Sequence, residues 1–136
     1  MNTTGTQAEA LDVRVRRALS HHKAAAKTLG QSLDYGLDDL RHLIESNPCC
    51  RWCRLPVGFD LHLDHLHPIG RGGKFALHNL CVSCSRDNRL RGMLTEAETL
   101  HLFEFLADLH PAAKEDIERR LLAGGRRYAN GRRKDG

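Results

Sequence analysis

The spacing of the cysteines constrains this chain more than any other feature. Cys50-Arg-Trp-Cys53 sets two thiols two residues apart, and Cys81 and Cys84 follow beyond a glycine-rich stretch, with the carboxylate of Asp87 close behind. Five cysteines suit a disulfide framework poorly because the number is odd. Pairs of the form Cys-x-x-Cys among His, Asp and Asn side chains point instead to metal in a reducing cytosol, so the expected location is cytoplasmic. A metal staple also fits the size of the chain. At 136 residues it is one domain at most, and 40% hydrophobic with 5% aromatic residues makes only a modest core. No apolar run approaches the roughly 18 residues that cross a bilayer, and the N-terminus has no apolar signal core. No membrane partner is expected.

The net charge of +4 is unevenly placed. Residues 34–47 carry Asp34, Asp38, Asp39 and Glu45 against Arg41, whereas the last stretch carries Arg126, Arg127, Arg132, Arg133 and Lys134 against Asp135. Basic ends suit a polyanion, although a frayed solubilising tail has the same composition.

Periodicity divides the chain into five parts. Residues 1–7 are polar and aperiodic and are expected to be disordered. Residues 8–47 read as N-terminal helices: Leu11, Val15, Ala18, Leu19, Ala25, Ala26 and Leu29 recur at helical spacing up to Gly30, and Leu37, Leu40 and Ile44 mark a second helix that Ser46-Asn47-Pro48 closes. Residues 48–93 form a central core, with Phe59–His65 as a strand, Leu80–Val82 as its partner, a Gly-rich loop over 68–73 and a helix from Cys84. Residues 94–125 carry C-terminal helices. The first opens on the capping box Thr95-Glu-Ala-Glu98 with Leu100, Phe103, Leu106 and Leu109 inward, and the second runs from Pro111 with Ile117 and Leu121 inward to Gly124-Gly125. Residues 126–136 are a basic tail.

The central part holds the chemistry. Asp64-His65, Asn79 and Asn88 supply a carboxylate beside a histidine, a lone amide and a further oxygen ligand. These are the parts of a one-metal phosphodiesterase centre. Such a centre needs a base for water, a cation for the leaving oxygen, and both oriented on one phosphate. His65 suits the base because imidazole titrates near neutral pH. Asp64 precedes it in an extended segment, so it points to the other face and can bind a hard cation. Asn88 offers an amide oxygen, and two oxygen ligands leave positions for water and phosphate, as Mg²⁺ is usually held. Asn79 can hydrogen-bond the loop that carries His65. His62 and His67 flank the segment and either line the cleft or lie exposed; His21, His22, His42, His101 and His110 fall on helices and read as surface or packing residues. Cys49 reads as a free thiol and Trp52 as a packing residue.

In order and spacing, Cys50-Arg-Trp-Cys53, Leu63-Asp64-His65-Leu-His-Pro68, Gly70-Arg-Gly-Gly73, His78-Asn79-Leu80 and Cys84-Ser-Arg-Asp87-Asn88-Arg-Leu-Arg91-Gly92, then Thr95-Glu96, resemble the HNH endonuclease family over about a third of the chain. The resemblance implies an α+β, mostly helical fold: a ββα-metal (His-Me finger) core with a zinc knuckle, flanked by N- and C-terminal helices. It implies a metal-dependent DNA endonuclease or nickase with His65 as general base, Asp64 and Asn88 as ligands of a catalytic Mg²⁺ or Mn²⁺, and Asn79 as the structural asparagine. It further implies 5′-phosphate and 3′-hydroxyl products and a core helix against the minor groove of double-stranded DNA.

The chain departs from the family at one point. Aligning Asn79, Asn88 and Gly92 puts Asp87 where the family has its fourth cysteine, and leaves Cys81 without a counterpart. The structural Zn²⁺ would then sit on Cys50, Cys53 and Cys84 with either Cys81 or Asp87, unless the zinc has been lost altogether. Cys81 qualifies only if the chain turns between it and Cys84. Arg71, Lys74, Arg89 and Arg91 are the candidate phosphate contacts, against the plainer reading of a solvated charged face. Nothing in the residues selects a target sequence, so selectivity falls to a homodimer or partner protein, or is absent. The rival reading keeps the fold without the chemistry, as a zinc-stapled module that binds nucleic acid or protein.

Overall fold

Five α-helices and one two-stranded antiparallel sheet make up the computed structural model, an α+β arrangement that is mostly helical. It describes residues 3–134, and side chains from 7 to 124. The chain opens with α1 (Thr3–Thr28) and α2 (Leu37–Ser46). The helix starts before the expected Ala8, because a helix once nucleated adds polar residues without needing a buried face. Met1 and Asn2 lie outside the described residues. Gly30 sits at φ +69 past the end of α1, where Gln31 N–H closes onto Ala26 O at 2.8 Å. That left-handed position ends the helix and favours glycine.

The hairpin follows. β1 (His62–His65) pairs with β2 (Leu80–Ser83) in the register His62 with Ser83, Leu63 with Val82, Asp64 with Cys81 and His65 with Leu80. The strand expected over Phe59–His65 is shorter, because Gly58 at φ +53 and the Asp60 N–H to Val57 O bond make a turn just before it, leaving Phe59 exposed. Between the strands, one-turn 3₁₀ helices occupy Ile69–Arg71 and Leu77–Asn79. Gly73 packs here so closely that a Cβ would lie 2.0 Å from His67 O; glycine is required by this approach as well as by the turn.

After β2 come α3 (Ser85–Arg91), α4 (Glu96–Ala107) and α5 (Pro111–Lys134). Thr95 caps α4 in the expected capping box with Glu98. The buried side of α4 is Thr99 with Leu106, while Leu100 is exposed. In α5 the inward group is Glu118, with Leu121 exposed. Both departures have one cause. Each helix turns a buried polar group toward an arginine of α3: Thr99 Oγ1 accepts from the buried Arg91 Nε at 3.1 Å, and Glu118 accepts from Arg86, whose side chain is half exposed. Gly124-Gly125 does not stop α5, since glycine inside a helix costs only about 1 kcal/mol against alanine. The side chains of the basic tail lie outside the described residues.

Two apolar clusters hold the assembly. Val15, Leu19, Tyr35, Leu40 and Leu80 seat α1 and α2 on β2; Cys50, Val57, Leu61 and Val82 fill the space under the cysteine loop. Leu63 packs against both. Among the described residues, no helix is long and apolar enough to cross a membrane.

Candidate functional site

The cysteine loop is folded back by local bonds. Cys50 N–H donates to Leu55 O at 2.8 Å and Arg54 N–H to Cys50 O at 2.9 Å, with Arg54 at φ +66. Arg51 N–H to Val82 O, 2.9 Å, docks the loop on β2. Cys84 caps α3, and its Sγ accepts from Asp87 N–H at 3.4 Å. The result is a cluster of Cys50, Cys53, Cys84 and Asp87 whose ligand atoms all lie within 4.8 Å of one another. A tetrahedral zinc with Zn–S near 2.3 Å needs ligands roughly 3.5–4 Å apart, so these residues can hold such an ion with little movement. Cys50 Sγ also accepts from Trp52 N–H at 3.4 Å and donates to Asp87 Oδ2 at 3.3 Å. Burial pushes the Cys53 thiol up to about 12, so loading the cluster must expel protons.

The geometry chooses between the two candidates for the fourth ligand. Cys81 pairs opposite Asp64 in β2, and the chain stays extended to Cys84 at φ −82, ψ 160. Side chains three residues apart in extended backbone face opposite ways. Cys81 is therefore not in the cluster, and is a buried thiol that desolvation pushes up to about 12. Asp87, 1% exposed, is.

On the hairpin, the same alternation separates Asp64 from His65. Asp64 faces α3, where Arg91 Nη1 donates to its Oδ2 at 2.6 Å. Burial raises the Asp64 carboxyl and outweighs the lowering by the Arg91 hydrogen bond and charge. Asn88 precedes Arg91 by three positions on α3, so the two share a helix face. His65 faces α1, with its ring 5.3 Å from His22 and edge-on to Phe75 at 5.9 Å. Its Nε2 is buried with no hydrogen-bond partner among the described residues. Desolvation, then the Arg91 charge, lowers its pKa. Asn79 clamps the turn after β1: Oδ1 accepts from His67 N–H at 2.9 Å, and Nδ2 donates to His67 O at 3.0 Å and Lys74 O at 2.9 Å.

No protein-family model matches the chain, and no curated protein matches it.

The candidate phosphate contacts divide on inspection. Lys74 and Arg89 are exposed. Arg71 is partly exposed but pairs with Glu98 and donates to Met93 O at 3.1 Å. Arg91 must be withdrawn as a DNA contact: it is 1% exposed, and its guanidinium donates to Asp64, to the carbonyls of His65, Leu66 and Leu94, and to Thr99. Its other side is covered by the Trp52 ring, 4.6 Å from the ring centroid. His67 Nε2 lies 3.0 Å from Arg71 O, and His62 Nε2 lies 3.9 Å from an Asp60 oxygen.

Sequence reasoning had His22 as a surface or packing residue but did not foresee its pairing with Tyr35. Their side chains meet at 2.7 Å, His22 Nδ1 to Tyr35 OH, directly behind His65. The available signal was that His22 falls on the same side of α1 as Val15, Leu19 and Ala26, all buried.

Proposed function

We propose that the protein is a metal-dependent DNA endonuclease or nickase of the HNH type, with residues 48–93 as a ββα-metal core. One observation carries the reading. The order of elements carries Asp64 and His65 on β1, Asn79 just before β2 and Asn88 on α3, the chain order that the HNH pattern uses, in a chain whose Cys50, Cys53, Cys84 and Asp87 can hold a metal ion. A divalent Mg²⁺ or Mn²⁺ held by Asp64 and Asn88 would neutralise the departing 3′-oxygen and orient the phosphate. The chain's own residues do the remaining work. His65 takes a proton from water as the water oxygen bonds to phosphorus, and the bond from phosphorus to the 3′-oxygen breaks. The 3′-oxygen leaves as a hydroxyl after gaining a proton from solvent water, to which His65 returns its own, and the phosphate stays on the 5′ end. Asn79 fixes the turn next to His65, and Lys74 and Arg89 offer exposed charge to the phosphate backbone. The cysteine–aspartate cluster, loaded with zinc, would clamp α3 to the loop at residues 50–55.

The rival is a zinc-stapled binding module without catalysis. It is favoured by a specific pair of contacts: Asp64 is engaged by Arg91, and the His65 Nε2 is covered. Supercoiled plasmid separates the two readings. Zinc-loaded protein should convert it to nicked or linear DNA when Mg²⁺ or Mn²⁺ is added and not in its absence. A chelator is a poor control here, because it also strips the zinc. Binding without conversion at any concentration of either ion selects the binding module.

A further inference from the structure

If His65 is the base of the endonuclease reading, something must hold its ring in the tautomer that a base needs, whatever becomes of any metal ion. A neutral imidazole carries one proton, so one ring nitrogen donates while the other keeps a lone pair. The Nε2 of His65 is buried, which leaves Nδ1 as the nitrogen that water can meet. To accept a proton there, Nδ1 must be bare and the resident proton must sit on Nε2. Nothing bonded to Nε2 holds it there. The opposite tautomer, with Nδ1–H toward water, has no lone pair where a base needs one.

His22 is placed to supply the missing acceptor. It stands on α1 with its ring centroid 5.3 Å from that of His65 and the planes tilted by 46°. An imidazole nitrogen lies about 1.1 Å from its ring centre, so two nitrogens turned head-on would stand about 3.1 Å apart, a normal hydrogen-bond length. Turning the His65 ring about Cβ–Cγ, a soft torsion, is the motion that closes the contact. The other ring beside His65, that of Phe75, has no lone pair to offer. His22 Nδ1 is already engaged, 2.7 Å from Tyr35 OH, so Nε2 is its free nitrogen. Burial first, then the His65 and His21 charges, depress His22 to about 4; it is neutral at pH 7 and keeps a lone pair. Tyr35 is buried in the cluster that seats α1, which makes its hydroxyl a fixed anchor. Neither His22 nor Tyr35 lies in the stretch that resembles the HNH pattern.

We propose that His22 is the positioning residue of His65: Tyr35 OH accepts from His22 Nδ1–H, and His22 Nε2 accepts from His65 Nε2–H, leaving a bare Nδ1 on His65 for water. When Nδ1 takes its proton, no second proton moves. His22 stays neutral, and its lone pair stabilises the imidazolium through the same bond.

The test reads the tautomer directly. In full chain carrying ¹⁵N-labelled histidine, long-range proton–nitrogen correlations show which nitrogen of His65 bears the proton, with His65→Ala giving the assignment. Nε2–H is expected in the wild type, and a shift toward Nδ1–H in His22→Leu. Nicking of supercoiled plasmid by His22→Leu should fall about 10- to 100-fold in kcat with KM unchanged. His22→Gln, whose amide oxygen reaches the place of the imidazole Nε2, should recover most of that rate. Tyr35→Phe removes a single oxygen and serves if His22→Leu does not fold; its kcat should fall about 3- to 10-fold, with the same drift in tautomer. Nδ1–H on His65 in the wild type overturns the proposal. So does a variant that loses rate while the tautomer stays as it was, since the role is then packing alone. The outcomes also separate this inference from the reading beneath it. A wild type that cuts with an unaltered tautomer and kcat in both variants keeps the endonuclease and loses His22. A wild type that never cuts, yet shows Nε2–H dependent on His22, loses the endonuclease and leaves the pair a structural one.

Discussion

A single nitrogen, His65 Nε2, decides more than any other atom in the molecule. It is covered by α1 and has no partner among the described residues, a state that costs the desolvation of a polar group until something bonds to it. His65→Ala should therefore leave the protein at least as stable while lowering cleavage by about 10²–10⁴-fold, read as a rate on supercoiled plasmid beside a thermal melt. Loss of stability with unchanged rate would make the residue a packing group. His22 behind it sets a pH limit. Burial first, then the His65 and His21 charges, depress its pKa to about 4. The folded state thus resists a proton that the unfolded chain accepts near pH 6.5. The contribution of neutral His22 is complete above pH 6.5 and is lost as pH falls toward 4, on the order of 1 kcal/mol after screening at so partly exposed a ring. Stability of His22→Gln measured from pH 7 to pH 4 should fall less steeply than that of the wild type.

The elements were legible to different depths, and the reasons are physical. Helix starts fixed by local bonds read well: Thr95 and Glu98 form their capping box, and Pro111 opens α5. Thr95→Ala should cost about 1 kcal/mol, as caps do, in a denaturant titration. Strand partners also read well, because Leu63 stands between the polar His62 and Asp64, and Leu80–Val82 is a short apolar run that β2 buries throughout. Long-range polar contacts did not. Arg91 looks like any other cation in a basic run, and only the fold shows Asp64, Thr99 and Trp52 closing on it. Glu118 likewise sits on an unremarkable charged helix until Arg86 meets it. The metal-capable cluster was legible as a set of residues, since Cys50, Cys53 and Cys84 with Asp87 stand at short spacings, but the side from which α1 covers His65 was not. Where Gly73 meets His67 O, spacing implied a turn and the fold adds a close approach. Gly73→Ala must move that backbone, so it should lower stability by a few kcal/mol and loosen the Asn79 clamp.

For the whole molecule, the cysteine–aspartate cluster is the largest single lever. Zinc bound there would contribute on the order of 10 kcal/mol, comparable to the entire stability of a domain this size. One zinc per chain is expected on elemental analysis, with Asp87→Ala releasing it and Cys81→Ser keeping it. The reverse pattern would move the fourth ligand to Cys81. DNA affinity, if electrostatic, should fall with salt at about −0.9 in log–log slope for each phosphate neutralised. Removing residues from Gly131 onward should flatten that slope on every duplex alike.

Leu11, Ile44 and Leu63 each belong to the surroundings of both apolar clusters. Neither cluster can then open while the other stays closed, since the shared side chains would be exposed from both sides. Amide protons of α2 and of the hairpin should exchange with deuterated solvent at one common free energy, that of the whole molecule unfolding, instead of in two steps. Truncating Leu11 to alanine should speed exchange in both places at once, though Leu11 lies on the first helix and the hairpin comes some fifty residues later.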